Sequence, residues 1–409
     1  MIPPVSSLAE LRRRAEAELT QDILPFWTRH AFEPDGRLVG VVAHDLRKFD
    51  DAPRHVVLCA RMLWTFAAAH RVVPNPQYLE MGRKALALLT GPFWDARHGG
   101  VFWSLDAKHQ VASDRKQIYA EAFTIYGLSE WFAATGDHAA LDLAKEVFFL
   151  IEKHASEPVH GGYIEALARD WSPLADMRLS LKDLNAPKSM NTLLHIMEAY
   201  TALLRVWPDA TLRERLRELV EILFKHVYTT EPYARCALFF DLDWRSHTPG
   251  ISYGHDIEAS WLFWEAADAL GDETLKTRTR DIALAMAEGV RAHGLDTDGA
   301  VLYAGEGQQV LNPEKHWWPQ AEAVVGFLNA YQLGKHDADL RAAFRAWDFI
   351  EAKVIDRQHG EWFAILRRDG TPLPDYPENT DSCKIGPWKC PYHNARACIE
   401  VLRRVPAAK

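Results

Sequence analysis

GHDIEASWLFWEAADALGD, running from Gly254 to Asp272, sets the fold. Apolar side chains occupy most of its helical circumference, while His255, Asp256 and Glu258 crowd into the first turn. A helix that is apolar nearly all round is predicted to be buried. Five other segments follow the same plan: HVVLCARMLWTFAAAH from His55, KQIYAEAFTIYGLSEWFAATGD from Lys116, KSMNTLLHIMEAYTALLRV from Lys188, WPQAEAVVGFLNAYQLG from Trp318 and YHNARACIEVLRR from Tyr392.

Helices of another kind lie between these. ATLRERLRELVEILFKHVY from Ala210 and LRAAFRAWDFIEAKVI from Leu340 carry Arg, Glu and Lys along one side, the pattern of a helix with one wet face. A short Gly-marked, aromatic or β-branched segment also recurs: HGGVFWSLD at His98, HGGYIEAL at His160, CALFFDLDW at Cys236, DGAVLYAGE at Asp298 and HGEWFAIL at His359. These are expected to be short strands or hairpins at one rim. A unit repeating every ~60–70 residues has to be read before domains are counted. Six buried inner helices and six amphipathic outer ones make one toroid: an all-α fold, an (α/α)6 barrel, with residues 1–409 as a single catalytic domain. The rival is an open helical solenoid. Closure is favoured because the polar first turns need a common cavity to face.

Composition narrows the function. Hydrophobic residues at 48% and charged residues at 25% describe an ordinary globular chain. A formal net charge of −9 argues against nucleic acid as a partner. No stretch approaches the ~18 apolar residues of a membrane span, so no membrane is expected either. MIPPVSSLAELRRRAEAEL lacks the apolar run and small-residue cleavage site of a signal peptide. Cys59, Cys236, Cys383, Cys390 and Cys398 match no zinc spacing and are expected to be reduced thiols in the cytoplasm. The 15 Trp are many; indoles suit flat sugar faces, and a large helical core is their other natural home.

The first turns hold the candidate chemistry. His255 and Glu258, three residues apart, share a helix face. Trp318 and Glu322 follow in the fifth inner segment, Trp388 and His393 at the sixth, and Asn191 and His195 one turn apart in the third. The first segment adds Arg61 and Trp64, the second Tyr119. Buried Arg, His and Glu on equivalent rungs are costly unless they pair or serve a site. A lone His195 would read as a core histidine; the whole set at one end of a barrel points to a site. No metal motif, P-loop, dinucleotide glycine pattern or nucleophile elbow is present, so neither metal nor cofactor is expected. Two chemistries stay open. Paired Glu would suit glycoside hydrolysis, whereas two neutral imidazoles on opposite faces of a carbon would suit proton abstraction beside a carbonyl. His255 and His393 each open an inner helix, whose positive end disfavours the imidazolium, and that leans towards histidine bases.

SYGHDIEASWL, WWPQAEAVVGFLNAYQ and GPWKCPYHN, together with KSMNTLLHIMEAYT and ILPFWTRH…GRLVG, closely resemble the cellobiose 2-epimerase family of the N-acylglucosamine 2-epimerase superfamily. The likeness runs in order over nearly the whole chain, and GPWKCPYHN looks like the disaccharide-acting branch. It implies the same barrel, and conversion of the reducing-end glucose of cellobiose or lactose to mannose without metal or nucleotide. By position it implies that His393 opens the sugar ring and takes the proton from carbon 2, and that His255 returns one on the opposite face. A cis-enediolate would rotate about the bond between carbons 2 and 3. Arg61 and His195 would donate to its oxygens, each donor typically worth about 3–4 kcal/mol of barrier. Glu258 would orient His255. Tyr119, Asn191 and Glu322 would hold hydroxyls, Trp318 and Trp388 would stack on sugar rings, and Trp64 is grouped with the substrate-binding set.

Pro391 would stiffen the turn that presents His393. Glu121 reads as one half of a structural ion pair. RDWSPLADMRLSLKDLNAPK, from Arg169 to Lys188, is expected to be an irregular lid, and TPLPDYPENTDSCK a second rim loop. The alternatives are a monosaccharide mannose–glucose 2-epimerase or aldose–ketose isomerase, an inverting hydrolase using Glu258 and Glu322, or a sugar-binding protein without chemistry. The expected partner is a small disaccharide, and the expected state a monomer or weak homodimer.

Overall fold

The computed structural model describes residues 7–375 and 380–407. The first six residues of the N-terminal stretch, residues 376–379 of the second rim loop and the last two residues lie outside them.

Helix α1 (Leu8–Glu18) runs through a π-turn (Leu19–Ile23) into α2 (Leu24–His30). Inner and outer helices then alternate: α3 (Val56–Val72) and α4 (Pro76–Thr90), α5 (Ile118–Thr135) and α6 (His138–His154), α7 (Met190–Val206) and α8 (Ala210–Ile222). They continue as α9 (Tyr253–Leu270) and α10 (Glu273–His293), α11 (Trp317–Gly334) and α12 (Asp337–Phe349), and end with α13 (Tyr392–Arg404). Each inner helix packs on the next, and α13 packs back on α3. That last contact closes the ring and separates a toroid from a solenoid. The outer partner of α13 is α1, whose Arg12 donates to the Val405 carbonyl at 2.6 Å.

The two layers differ as their sequences do. α5 is buried without a break from Ile118 to Trp131, whereas α8 buries only Leu212, Leu216, Leu219 and Val220, a single stripe. The turn between layers is written as Gly-Asp. Gly136 and Gly271 end α5 and α9 in the left-handed region, at φ 74° and 68°. The next residue caps the outer helix: the Asp137 carboxylate accepts from the amides of Ala139 and Ala140, and that of Asp272 from Leu275. Such a cap is worth about 1 kcal/mol.

At the opposite rim, each Gly-marked segment pairs antiparallel with the short strand that leads into the inner helix of its own repeat. Ser104–Leu105 pairs with Arg54–His55, Ala166–Leu167 with Lys116–Gln117, Phe239–Phe240 with Lys188–Ser189 and Ile365–Leu366 with Lys315–His316. Arg54, Lys116, Lys188 and Lys315 all stand two residues before their helix, and all four are buried. Each charge is met by fixed acceptors. The Lys188 ammonium donates to Glu157 (3.1 Å) and to the carbonyls of Gly161 (2.7 Å) and Leu242 (2.6 Å), while that of Lys315 bonds Asp298 at 2.6 Å. These cations pin the rim to the barrel. The fourth residue of an inner helix does related work: Glu121, Asp256 and Gln320 accept from the amides of Val101 (3.0 Å), Cys236 (2.8 Å) and Val301 (2.8 Å). Glu121 is therefore a backbone acceptor rather than half of an ion pair, and burial pushes its carboxyl up to about 7.

Among the described residues no helix is long and apolar enough to cross a membrane. All five cysteines are free and buried.

Candidate active site

The inner helices aim their N-termini at one cavity of about 190 Å³, and the side chains that line it stand on two rungs. The upper rung is the second or third helical residue: Tyr119, Asn191, His255, Trp318 and His393. The lower rung is the sixth: Arg61, His195 and Glu258. Trp388, just before α13, adds a wall. Identical spacing from each helix start makes the polar groups converge, because the helices around the ring begin at a common level.

His255 and His393 both pack against the Trp318 indole, with ring centres 4.7 and 5.7 Å from it. Their supports differ. The Nδ1 of His255 meets the Ser252 hydroxyl at 2.7 Å, and the Nδ1 of His393 meets the Glu322 carboxylate at 2.7 Å. Glu322 also accepts from Arg396 (2.6 Å) and from the Trp261 indole (3.0 Å), so both its oxygens are occupied as acceptors. The proton of the His393 contact then sits on Nδ1, and Nε2 is the ring atom left for a substrate. Burial pushes His255 down to about 3, helped by His195. It holds His393 well below its ordinary value too, with Arg61 and Arg396 adding to the effect. Both rings are uncharged at neutral pH, with desolvation the largest cause.

On the lower rung, Arg61 donates to the Tyr119 hydroxyl at 2.6 Å and lies 4.2 Å from the Phe123 ring centre. Its Nε and the Oδ1 of Asn191 are buried without a protein partner, which suits them to sugar oxygens. His195 Nδ1 meets Glu198 at 2.9 Å. Burial alone would raise Glu198, but Arg396 and His195 outweigh it and bring the carboxyl down to about 2. Glu258 goes the other way: burial and neighbouring Glu322 push it up to about 7 against the pull of Arg396. Glu258, Glu322 and His393 lie close enough together to hold a cation. The cation they hold is Arg396, 2.5 and 2.6 Å from the two carboxylates.

The N-acylglucosamine 2-epimerase (GlcNAc 2-epimerase) family profile matches residues 42–382. A cellobiose 2-epimerase of Bacteroides fragilis is 42% identical over 394 residues, 96% of this chain and 98% of that one. A second, from Dictyoglomus turgidum, is 35% identical over 97% of this chain and all of its own length. The solved structure of cellobiose 2-epimerase from Bacillus thermoamylovorans superimposes with a TM-score of 0.90 at 35% identity, covering 97% of this chain and 99% of that one. The chain belongs to the N-acylglucosamine 2-epimerase family. It is an isomerase with sugar epimerase chemistry, built on the (α/α)6 barrel.

Three expectations for this epimerase need correcting. Glu258 does not support His255: its carboxylate bonds Arg396 and comes no nearer to an imidazole than 4.0 Å, from His393. Glu322 does not face the cavity as a hydroxyl ligand but sits beneath it as the partner of His393. Trp64 is likewise out of reach, one turn below Arg61. It is 1% exposed and stacked on Tyr126, with ring centres 5.2 Å apart. Arg61, the sixth residue of α3, still meets the cavity, and Trp64, three residues further on, does not.

Ser252, Glu198 and Arg396 escaped the sequence reading, though two of them carried a signal. Glu198 follows His195, and Arg396 follows His393, by three residues on the same face. Loop 169–188 does reach the site. Its Ser180, Lys182 and Asp183 line the cavity, as do Tyr303, His316 and Asp381, and Lys182 bonds Asp381 at 2.6 Å across the mouth. A larger cavity of about 420 Å³ opens at the other end of the barrel, where Glu130, Glu265 and Glu400 pair with Arg71, Arg205, Arg403 and Arg404. Each of those guanidiniums is already paired with a carboxylate, and no imidazole lines that space.

Proposed function

We propose that this family member interconverts glucose and mannose at the reducing end of β-1,4-linked disaccharides such as cellobiose, lactose and mannobiose. His393 would catalyse ring opening and take the carbon 2 proton of the gluco form on Nε2, with Glu322 stabilising the resulting imidazolium. The electrons pass to the carbonyl oxygen, giving a cis-enediolate held by Arg61, Tyr119 and His195. Rotation about the bond between carbons 2 and 3 turns the other face of carbon 2 towards His255. That ring, protonated by exchange in the partly open cavity, returns a proton to carbon 2; His393 then gives up its own proton, and the open-chain sugar closes to the manno ring. Trp318 and Trp388 offer apolar faces to the sugar rings. The observation that carries this reading is the pair of neutral imidazoles packed against Trp318 in one cavity with a buried guanidinium. Five buried, unpaired thiols agree with a cytoplasmic enzyme, and we take it to act as a monomer or weak homodimer.

The test is incubation with lactose in deuterated water, followed by chromatography and proton NMR. A new disaccharide of unchanged composition, deuterated at carbon 2, is expected. Release of galactose and glucose would overturn the proposal in favour of hydrolysis by the glutamates, and a ketose product would favour isomerisation.

A further inference from the structure

Arg396 is 1% exposed and touches no part of the sugar cavity, yet it joins both sides of it. One Nη bonds Glu198 of α7 and the Tyr392 hydroxyl; the other bonds Glu258 of α9 at 2.5 Å and Glu322 of α11 at 2.6 Å. The rings of Tyr392 and Trp261 lie 4.2 and 4.8 Å from its guanidinium carbon. Two of those carboxylates are the Nδ1 partners of cavity imidazoles, Glu198 of His195 and Glu322 of His393. Three buried carboxylates around one fork is a geometry that Lys cannot reproduce, because its ammonium is a single point donor.

We propose that Arg396 is a positioning residue for the reaction. By holding Glu198 and Glu322 on one guanidinium, it presents both as acceptors, fixes His195 and His393 with the proton on Nδ1, and so points Nε2 of each at the sugar. The proposal rests on the epimerase reading for its kinetic consequences but not for its tautomers. The charged and titratable groups facing His393 are Glu322, Glu258, Arg61, Arg396, His195 and His255. Those facing Arg396 are Glu198, Glu258, Glu322 and Tyr392. Losing the guanidinium removes a cation that opposes protonation of His393 and leaves Glu322 at its Nδ1. The imidazolium is then stabilised, and the base is lost at higher pH.

The experiment uses the full chain with ¹⁵N-labelled histidine, as wild type, R396M and R396K. In the wild type, both His195 and His393 are expected to carry the proton on Nδ1. With lactose as substrate, R396M should lose about 10²-fold in kcat. Its inhibition constant for the sugar alcohol lactitol should stay within about threefold, and the acid limb of its kcat/KM profile should move up by about one pH unit. R396K should return the limb towards its original position without restoring the rate, since it keeps the charge and loses the fork. An unmoved acid limb in R396M would reduce Arg396 to a packing role and overturn the proposal. So would a wild-type His195 or His393 with Nδ1 unprotonated, which decides the matter even where neither variant folds. A wild type that leaves lactose unchanged would remove the epimerase reading instead, with the tautomers still testing Arg396.

Discussion

His255 and His393 share one indole but lean on different partners. The first is backed by the Ser252 hydroxyl and the second by the Glu322 carboxylate, each at 2.7 Å. A carboxylate stabilises the imidazolium that forms behind it and a hydroxyl does so only weakly, so the two rings should respond differently to loss of support. E322Q is expected to lower kcat by about 10²-fold and S252A by about 10-fold or less, in steady-state kinetics with lactose. Equal losses would mean that the carboxylate has no special part.

The buried imidazoles should also mark stability against pH. His255 titrates at about 3 in the folded chain against an ordinary value of 6.5. Between those values the unfolded chain binds the extra proton, so this group's contribution is complete above 6.5 and declines as the pH falls towards 3. Glu258, raised from 4.5 to about 7, has the opposite sign and loses stability as the pH rises through that window. Comparison with H255N isolates the histidine. From pH 7 to pH 5 the melting temperature of the wild type should fall further than that of H255N, by scanning calorimetry. Parallel falls would show that His255 is not held neutral by burial.

The bridge between Lys182 and Asp381 crosses the cavity mouth at 2.6 Å, with the lysine 75% exposed. An ion pair so exposed contributes little to stability. If it holds loop 169–188 over the sugar, K182A should raise KM about 3–10-fold with kcat and melting temperature unchanged. A change in melting temperature alone would make the bridge a structural tie.

Trp64 was expected at the sugar and is found stacked on Tyr126 below the floor. W64F should therefore cost about 1–3 kcal/mol in chemical unfolding and leave KM for lactose unaltered. A raised KM with normal stability would put the indole back in the site.

These outcomes also show which features could be read from the sequence. The inner helices were plain because a segment such as α5 has no wet face to disguise its burial, and the cavity followed because polar residues stand within the first six positions of every such helix. Depth along the helix was harder. Trp318 and Glu322 share a face four residues apart, and nothing in that spacing says that one meets the sugar while the other lies a turn beneath it. The rim cations were missed for a different reason. Lys116, Lys188 and Lys315 sit in short polar strands that look solvated, and their buried acceptors come from backbone carbonyls and from carboxylates on other segments, which no local pattern displays. Arg396 was hidden in the same way, since its three carboxylate partners arrive from three other helices.

The central claim, that two imidazoles serve opposite faces of carbon 2, is tested most directly by H255N with lactose in deuterated water. His393 alone can remove and replace the proton on the gluco side, so NMR should show deuterium entering carbon 2 of lactose with no epimer formed. Epimer produced by H255N, or exchange into lactose that persists in H393N and vanishes in H255N, would contradict the account.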